Sequence, residues 1–284
     1  MGSAVVTGVS TGIGWGTTKV LIKNGHRVFG SVRKQADADR LQKEFGANFV
    51  PLIFDVIDPK AVQAGAAKVR EAVKGEKLMG LVNNAGVAVS GPLLYITPDE
   101  FRDQMEINLI GVLNVTQAFA PLVGADTSLK GKPGRIVNIS SIGGKRAFPF
   151  IGPYAASKHA LEGFSEALRR ELMLFGIDVI IVAPGAVKTA IWDKAEQVDT
   201  SRYANTPYGP SIERFSKFFL EGGRKGLSPE KLGRVILRAL TTAKPKVRYA
   251  VVPNFVQDRL VPALMPKRML DRIIAGRLGF IAKA

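Results

Sequence analysis

Tyr154 and Lys158 stand four positions apart in "GPYAASKHALEGF", residues 152–164, a stretch that reads as helix. One helical turn puts the phenol and the ammonium on one face. A phenol that exchanges a proton beside a cation is an acid/base pair. A second chemical feature is the turn "TGVSTGIG" near the amino terminus, which holds Gly8, Ser10, Thr11, Gly12, Ile13 and Gly14. Gly8 permits a tight turn, Gly12 lets backbone approach a ligand, and Gly14 lets the following helix pack on the preceding strand. The helix start then offers unpaired N–H groups and a positive dipole end to a pyrophosphate.

The same turn contains "GVSTG", which matches the nucleophile elbow G-x-S-x-G with Ser10 as nucleophile. That elbow normally follows several strands, whereas Ser10 follows the first. The two histidines, His26 and His159, lie in the next turn and directly after Lys158, not in a late loop. A serine hydrolase is therefore the weaker alternative.

The elements that must position these groups alternate along the chain. "SAVVTG", "HRVFGSV", "ANFVPLIFDV", "LMGLVNNAG", "GRIVNISS" and "IDVIIVAPG" read as strands without in–out alternation. Helical stretches separate them: "GIGWGTTKVLIKNG", "PKAVQAGAAKVREAVKG", a long one from about Pro98 to Val123, and one from Pro153 to Phe175. Such strands, each followed by a helix, predict an α/β fold: a doubly wound parallel sheet of Rossmann type, about seven strands with helices on both faces. After Pro184 the alternation lapses. Residues 186–228 carry Trp192, Tyr203, Tyr208, Phe215, Phe218 and Phe219 among prolines and charges, and read as an irregular substrate lid. The aromatics would equally serve to pin such a loop to the body.

With 284 residues and 46% apolar content, the chain can bury one large core, so a single domain over 1–284 is expected. There is no cysteine, which excludes disulfides and thiolate metal sites and fits a cytoplasmic setting. Two separated histidines give no basis for a metal site. No leader is expected before "MGSAVVTG", and no segment reads as a membrane span. The net charge is +16, and the chain from Thr241 onward holds nine Lys/Arg against two Asp. No nucleic-acid motif accompanies this charge, so a solvated basic face is the expectation and nucleic acid is not.

Six motifs occur in order: "TGVSTGIG", "NNAG" at Asn83–Gly86, "IN" at Ile107–Asn108, "NISS" at Asn138–Ser141, "YAASK" at Tyr154–Lys158, and "PGAVKT" at Pro184–Thr189. Together they resemble the short-chain dehydrogenase/reductase family, in its compact branch. The resemblance implies that Tyr154 is the general acid/base and that Lys158 both lowers the phenol's pKa and bonds the nicotinamide ribose. It implies Ser141 as the hydrogen-bond partner of the substrate oxygen, and Asn108 as the holder of a water in a proton relay. Beside the dinucleotide it places the glycine turn, Asp55, Val56, Asn83, Ala85, Gly86, Pro184, Gly185, Val187 and Thr189.

The second strand ends "FGSVRK", with Arg33 where readers of NAD carry an acid. A guanidinium there suits a 2′-phosphate, so NADP(H) is expected over NAD(H). Phe148, Phe150 and Trp192 would line an apolar pocket for a steroid, retinoid, fatty or aryl carbonyl. The expected activity is that of an alcohol dehydrogenase/carbonyl reductase, diffusely similar to the retinol and hydroxysteroid dehydrogenases. An idle dinucleotide-binding regulator on the same fold is the alternative. The family implies a dimer or tetramer. The basic extension 255–284, broken by Pro262, Pro266, Gly276 and Gly279, reads as short helices at best. It would cover the pocket or pack on a neighbouring subunit, with a weak peripheral contact to anionic membrane as the other reading.

Overall fold

The computed structural model describes residues 2–189 and 199–280. Seven strands form one parallel sheet in the order β3-β2-β1-β4-β5-β6-β7. They are β1 Ser3–Val6, β2 Arg27–Val32, β3 Phe49–Ile53, β4 Gly80–Asn83, β5 Arg135–Ile139, β6 Asp178–Pro184 and β7 Arg248–Val251. Among the described residues the α-helices are α1 Gly12–Lys23, α2 Gln35–Phe45, α3 Pro59–Ala72, α4 Pro98–Met105, α5 Gly111–Ala120 and α6 Gly152–Glu171, then α7 Gly209–Arg224, α8 Pro229–Thr241, α9 Val261–Leu264 and α10 Lys267–Leu278.

Local chemistry sets many of the starts. Asp58 accepts from the amides of Lys60 and Ala61 ahead of α3, with Pro59 in the first turn. Thr97 and Glu100 form a reciprocal capping box on α4, and Ser228 accepts from Lys231 N at the start of α8.

The central strands are buried on both faces, as a parallel sheet between helix layers requires. One core places Leu21, Leu41, Leu232 and Ile236 of α1, α2 and α8 against Val6, Val28 and Val182. The other sets Val62, Val69, Val115 and Phe119 of α3 and α5 against Val5, Leu81 and Ile136. The order of strands reverses between β1 and β4, which pair directly. Ligands of doubly wound sheets bind at the carboxyl ends of such a pair.

Helices α1 and α8 meet at glycine. A Cβ on Gly233 would come within 2.6 Å of Gly16 O, and one on Gly16 within 2.5 Å of the Pro229 carbonyl carbon. The run Pro98–Ala125 is long and apolar enough to cross a membrane by length and composition alone, contrary to expectation. In the fold 56% of its apolar window is buried, and Val115 and Phe119 are core.

Two expectations about the carboxyl-terminal half need correction. The segment 186–228 is not irregular throughout: α7 occupies sixteen of its residues. Ile212 and Phe215 are buried there at a spacing of three, with Phe219 packed beside them. The extension is not merely short pieces either, because α10 runs for twelve residues and seats Leu278 against α7. Phe150, Ile151, Tyr203, Ile212, Phe215 and Leu278 form a third core, and Tyr154 packs at its edge.

Candidate active site

The glycine turn has the conformation its sequence predicts. Gly8 (φ +69°) and Gly12 (φ +63°) occupy the left-handed region. A Cβ on Gly8 would lie 2.9 Å from Ala85 Cα, and one on Gly14 would run into the Gly8 carbonyl oxygen. Gly8 N donates to Ser31 Oγ at 3.0 Å. Thr11 caps α1 with extended backbone, its side chain makes no capping bond, and the first turn carries no acid. That helix end, with Ser10 and Ile13 flanking the cap, is suited to an anion.

Thr7 and Asn84, which the motifs did not single out for a role, join this turn to β4. Thr7 Oγ1 accepts from the amides of Asn84 (2.9 Å) and Ala85 (3.0 Å), while Asn84 Nδ2 donates to Thr7 O and Gly8 O. Asn83 is buried beneath. Its Nδ2 donates to Thr116 Oγ1 and Asn138 Oδ1, and its own Oδ1 has no partner.

Across the crevice Thr189 approaches the turn: a Cβ on Gly12 would meet Thr189 Cγ2 at 3.1 Å. Pro184 ends β6, Gly185 N donates to Val251 O, and Val187 bridges to Leu227. Val56 is buried against Gly111. The exposed Arg33 guanidinium stands 3.6 Å from the Asp55 carboxylate at the end of β2. Sequence reading missed Arg40, whose guanidinium donates to Ser10 O at 2.7 Å and reaches Asp37 at 3.1 Å. Nothing local marks a residue midway along α2 as a neighbour of the glycine turn. Crowded glycines, an open helix end and a cation at the second strand together fit a dinucleotide.

Neither histidine serves Ser10. His159 Nδ1 bonds its own helix at Ala155 O, and His26 Nδ1 is buried without a partner. The elbow reading lacks its base.

The four candidate catalytic residues come from three elements. Asn108 lies in a π-helical turn, Glu106–Ile110, between α4 and α5. Such turns recur at functional sites because they re-aim a side chain within a helix. Asn108 Oδ1 accepts from Val87 N (2.9 Å), and its Nδ2 donates to Val87 O (3.0 Å) and Ser157 Oγ (3.1 Å). A Cβ on Gly86 would lie 3.1 Å from Asn108 Oδ1 and 3.8 Å from Lys158 Nζ, so this glycine permits both to approach.

Lys158 is buried and donates to Ile139 O at 2.8 Å, with Nζ 5.8 Å from the Tyr154 ring centroid. Burial lowers its pKa to about 8. Ser141 follows β5, and its Oγ accepts from Gly143 N at 3.0 Å. For Tyr154 the expected shift is reversed: burial raises the phenol above its ordinary value, while a hydrogen bond with Ser141 pulls it partly back. Desolvation of the phenolate outweighs the Ser141 hydrogen bond, and the neighbouring ammonium is turned to the Ile139 carbonyl.

The apolar wall is aromatic. Phe148 stacks on Phe218 at 6.0 Å and lies 6.1 Å from Phe215. Phe150 is 6% exposed and meets Phe215, Phe280 and Tyr208 edge-on, so it supports the wall rather than lining the pocket. It does so at φ +65°, with its carbonyl held by Gly91 N and Ser90 Oγ. Trp192 lies outside the described residues.

Comparison with known proteins agrees with this geometry. A model of the short chain dehydrogenase family matches residues 3–199. The chain is 39% identical to an NADPH-dependent 3-dehydrocapnine reductase of Ornithobacterium rhinotracheale, over 95% of each. It is 34% identical to a 3-ketodihydrosphingosine reductase of Bacteroides thetaiotaomicron, covering 88% of this chain and 87% of that one. Among solved structures, a short-chain dehydrogenase from Streptomyces avermitilis superposes with a TM-score of 0.73 at 28% identity, covering 97% of this chain and 94% of that one. The glycine turn, the Tyr154–Lys158 helix and these matches lead to one conclusion: the chain belongs to the short-chain dehydrogenase/reductase family of oxidoreductases.

Proposed function

We propose that the protein transfers hydride between NADP(H) and a hydrophobic alcohol or ketone, and that it works as a carbonyl reductase. One observation carries this reading: the Tyr154 hydroxyl, bonded to Ser141 and backed by buried Lys158, sits at the edge of an aromatic core. A proton donor at an apolar wall suits a single oxygen on a lipophilic body. The relatives named above, one a reductase that uses NADPH and one that acts on a keto group, support the direction and the cofactor.

When bound, the nicotinamide supplies a hydride to the carbonyl carbon. Gly8, Gly12 and Gly14 would let backbone approach its pyrophosphate at the α1 terminus, and Arg33 would pair with a 2′-phosphate. Ser141 holds the substrate oxygen by hydrogen bond. Tyr154 passes its proton to that oxygen as negative charge develops there. The resulting phenolate is stabilised by the Lys158 ammonium beneath the ring. Because burial brings Lys158 to about 8, it can return a proton near neutral pH.

A panel of steroid, retinoid, fatty and aryl ketones, followed by loss of NADPH absorbance, tests the proposal. Turnover of bulky ketones with NADPH, and much slower turnover with NADH, is expected. Nucleotide binding without turnover of any member would replace it with a non-catalytic binding role.

A further inference from the structure

Residues 255–264 form one helical stretch, a π-helical turn Val256–Leu260 running into α9. Phe255, Val256, Leu260, Val261 and Leu264 are each between 43% and 76% exposed, and α9 has no buried residue. Exposed apolar side chains gathered so densely mark an interaction surface. Helix α10 extends it. Met269 and Ile273, one turn apart, face outward, while Ile274 and Leu278 face the aromatic core. Cations are interleaved: Lys267, Arg268 and Arg272 are exposed, and Arg277 lies 4.9 Å from the centroid of the exposed Phe218 ring. Asp258 and Asp271 are the acids between 255 and 280, and Asp258 Oδ2 is engaged by Asn254 N.

The occupant of this face must accept both aliphatic chains and positive charge. A second copy docked by two-fold symmetry would set the basic face against itself. Nucleic acid would use the cations but has no place for five exposed apolar chains in ten residues. An anionic lipid surface takes both, with apolar groups at the acyl boundary and Lys/Arg at the headgroups. We infer that residues 255–277 seat the protein peripherally on an anionic bilayer.

The inner side of the same helix gives this contact a purpose. Ile274, Leu278 and the following Phe280 belong to the core that reaches Tyr154. Docking therefore brings the aromatic wall of the site close to the phase in which lipophilic carbonyls dissolve. That purpose rests on the proposed function, whereas the binding itself does not.

The test is flotation of the full chain with phosphatidylcholine vesicles, with and without phosphatidylglycerol, at low and high salt. The protein should float with anionic vesicles at low salt and remain below with neutral ones. Lys267→Glu/Arg268→Glu should cut partitioning about tenfold or more, since each basic residue near such a surface contributes roughly fivefold. Leu260→Asp/Leu264→Asp should cut it comparably. Unchanged melting temperature and NADPH binding would show that both variants fold. Equal partitioning onto neutral and anionic vesicles, or variants that float like the parent, overturns the inference. So does a change of mass by light scattering in the leucine variant without a change in flotation, which would assign the face to a second copy. None of these readouts depends on turnover.

Discussion

The guanidinium of Arg248 closes on the Glu162 carboxylate through three hydrogen bonds of 2.8–3.1 Å, although Glu162 is only 2% exposed. Glu162 lies one turn beyond Lys158 on α6, and it also accepts from Ser140, the neighbour of Ser141, at 2.9 Å. The pair thus ties β7 to the helix that carries Tyr154 and Lys158 and to the loop that carries Ser141. Removing Arg248 leaves Glu162 with Ser140 and the exposed Lys145, 3.7 Å away, so the loss falls below the about 3–5 kcal/mol of a fully stranded buried charge. Arg248→Met should show that loss in urea denaturation, together with a lower kcat. Adding Glu162→Gln to Arg248→Met should restore part of the stability. Additive losses in the double variant would show that the two side chains are not coupled.

The direction of the Tyr154 shift sets a pH profile. Reduction needs the protonated phenol, and burial raises its pKa above the ordinary value. Ketone reduction should therefore hold from neutral pH up to the usual tyrosine range and fall only above it. Alcohol oxidation, which needs the phenolate, should climb across the same interval. Tyr154→Phe should lower kcat by about 10²–10⁴ in both directions, the usual contribution of a positioned acid or base. Parallel pH profiles for the two directions would refute the assignment.

Lys158 carries a stability consequence with the opposite sign to an ordinary ion pair. Its pKa falls from 10.5 to about 8 on burial, so between those values the unfolded chain holds a proton that the folded one has released. Stability from this group rises with pH across that window, and below it the buried ammonium costs about 3 kcal/mol. Lys158→Met should abolish turnover yet raise the urea midpoint at pH 7. It should also flatten the rise in stability between pH 8 and 10.5. A variant less stable than the parent at pH 7 would contradict this.

Arg33 should govern the choice between the two dinucleotides. Hydrogen bonds to charged groups contribute roughly 1.5–3 kcal/mol, so Arg33→Ala should raise the KM for NADPH by on the order of tenfold to a hundredfold. The KM for NADH should stay nearly constant. Arg33 already pairs with Asp55, so the variant also frees that carboxylate to repel a phosphate. Equal effects on the two nucleotides would remove the 2′-phosphate contact from the proposed function.

What the sequence disclosed was local. The Tyr154–Lys158 spacing, the glycines before α1 and the apolar runs of the central strands each depend on residues a few positions apart. Long-range partners left no such trace. Arg248 and Glu162 are separated by 86 positions, and the four-residue β7 begins with the charge that makes the contact. The helix α7 was hidden by Gly209–Pro210 and Gly222–Gly223 at its ends, which resemble loop, although Phe215, Phe218 and Phe219 have helical spacing. Arg40 meets Ser10 only because α2 folds back across the first turn. The direction of the Tyr154 shift is hidden from the sequence for a related reason: a spacing shows which charge is near, but burial depends on the whole fold.

The glycine-to-glycine meeting of α1 and α8 fixes more than two helices. With backbone against backbone at Gly16 and Gly233, α8 can neither slide nor roll, and a methyl at 233 would act as a wedge under the dinucleotide helix. Only the link 225–228 separates α8 from the aromatic α7, and Leu227 within it donates to Ala186 O and accepts from Lys188 N. A displacement of α8 would thus be passed through Leu227 to Ala186 and Lys188, and on toward Thr189 beside Gly12, so a position far from the reacting groups can disturb both rims of the crevice at once.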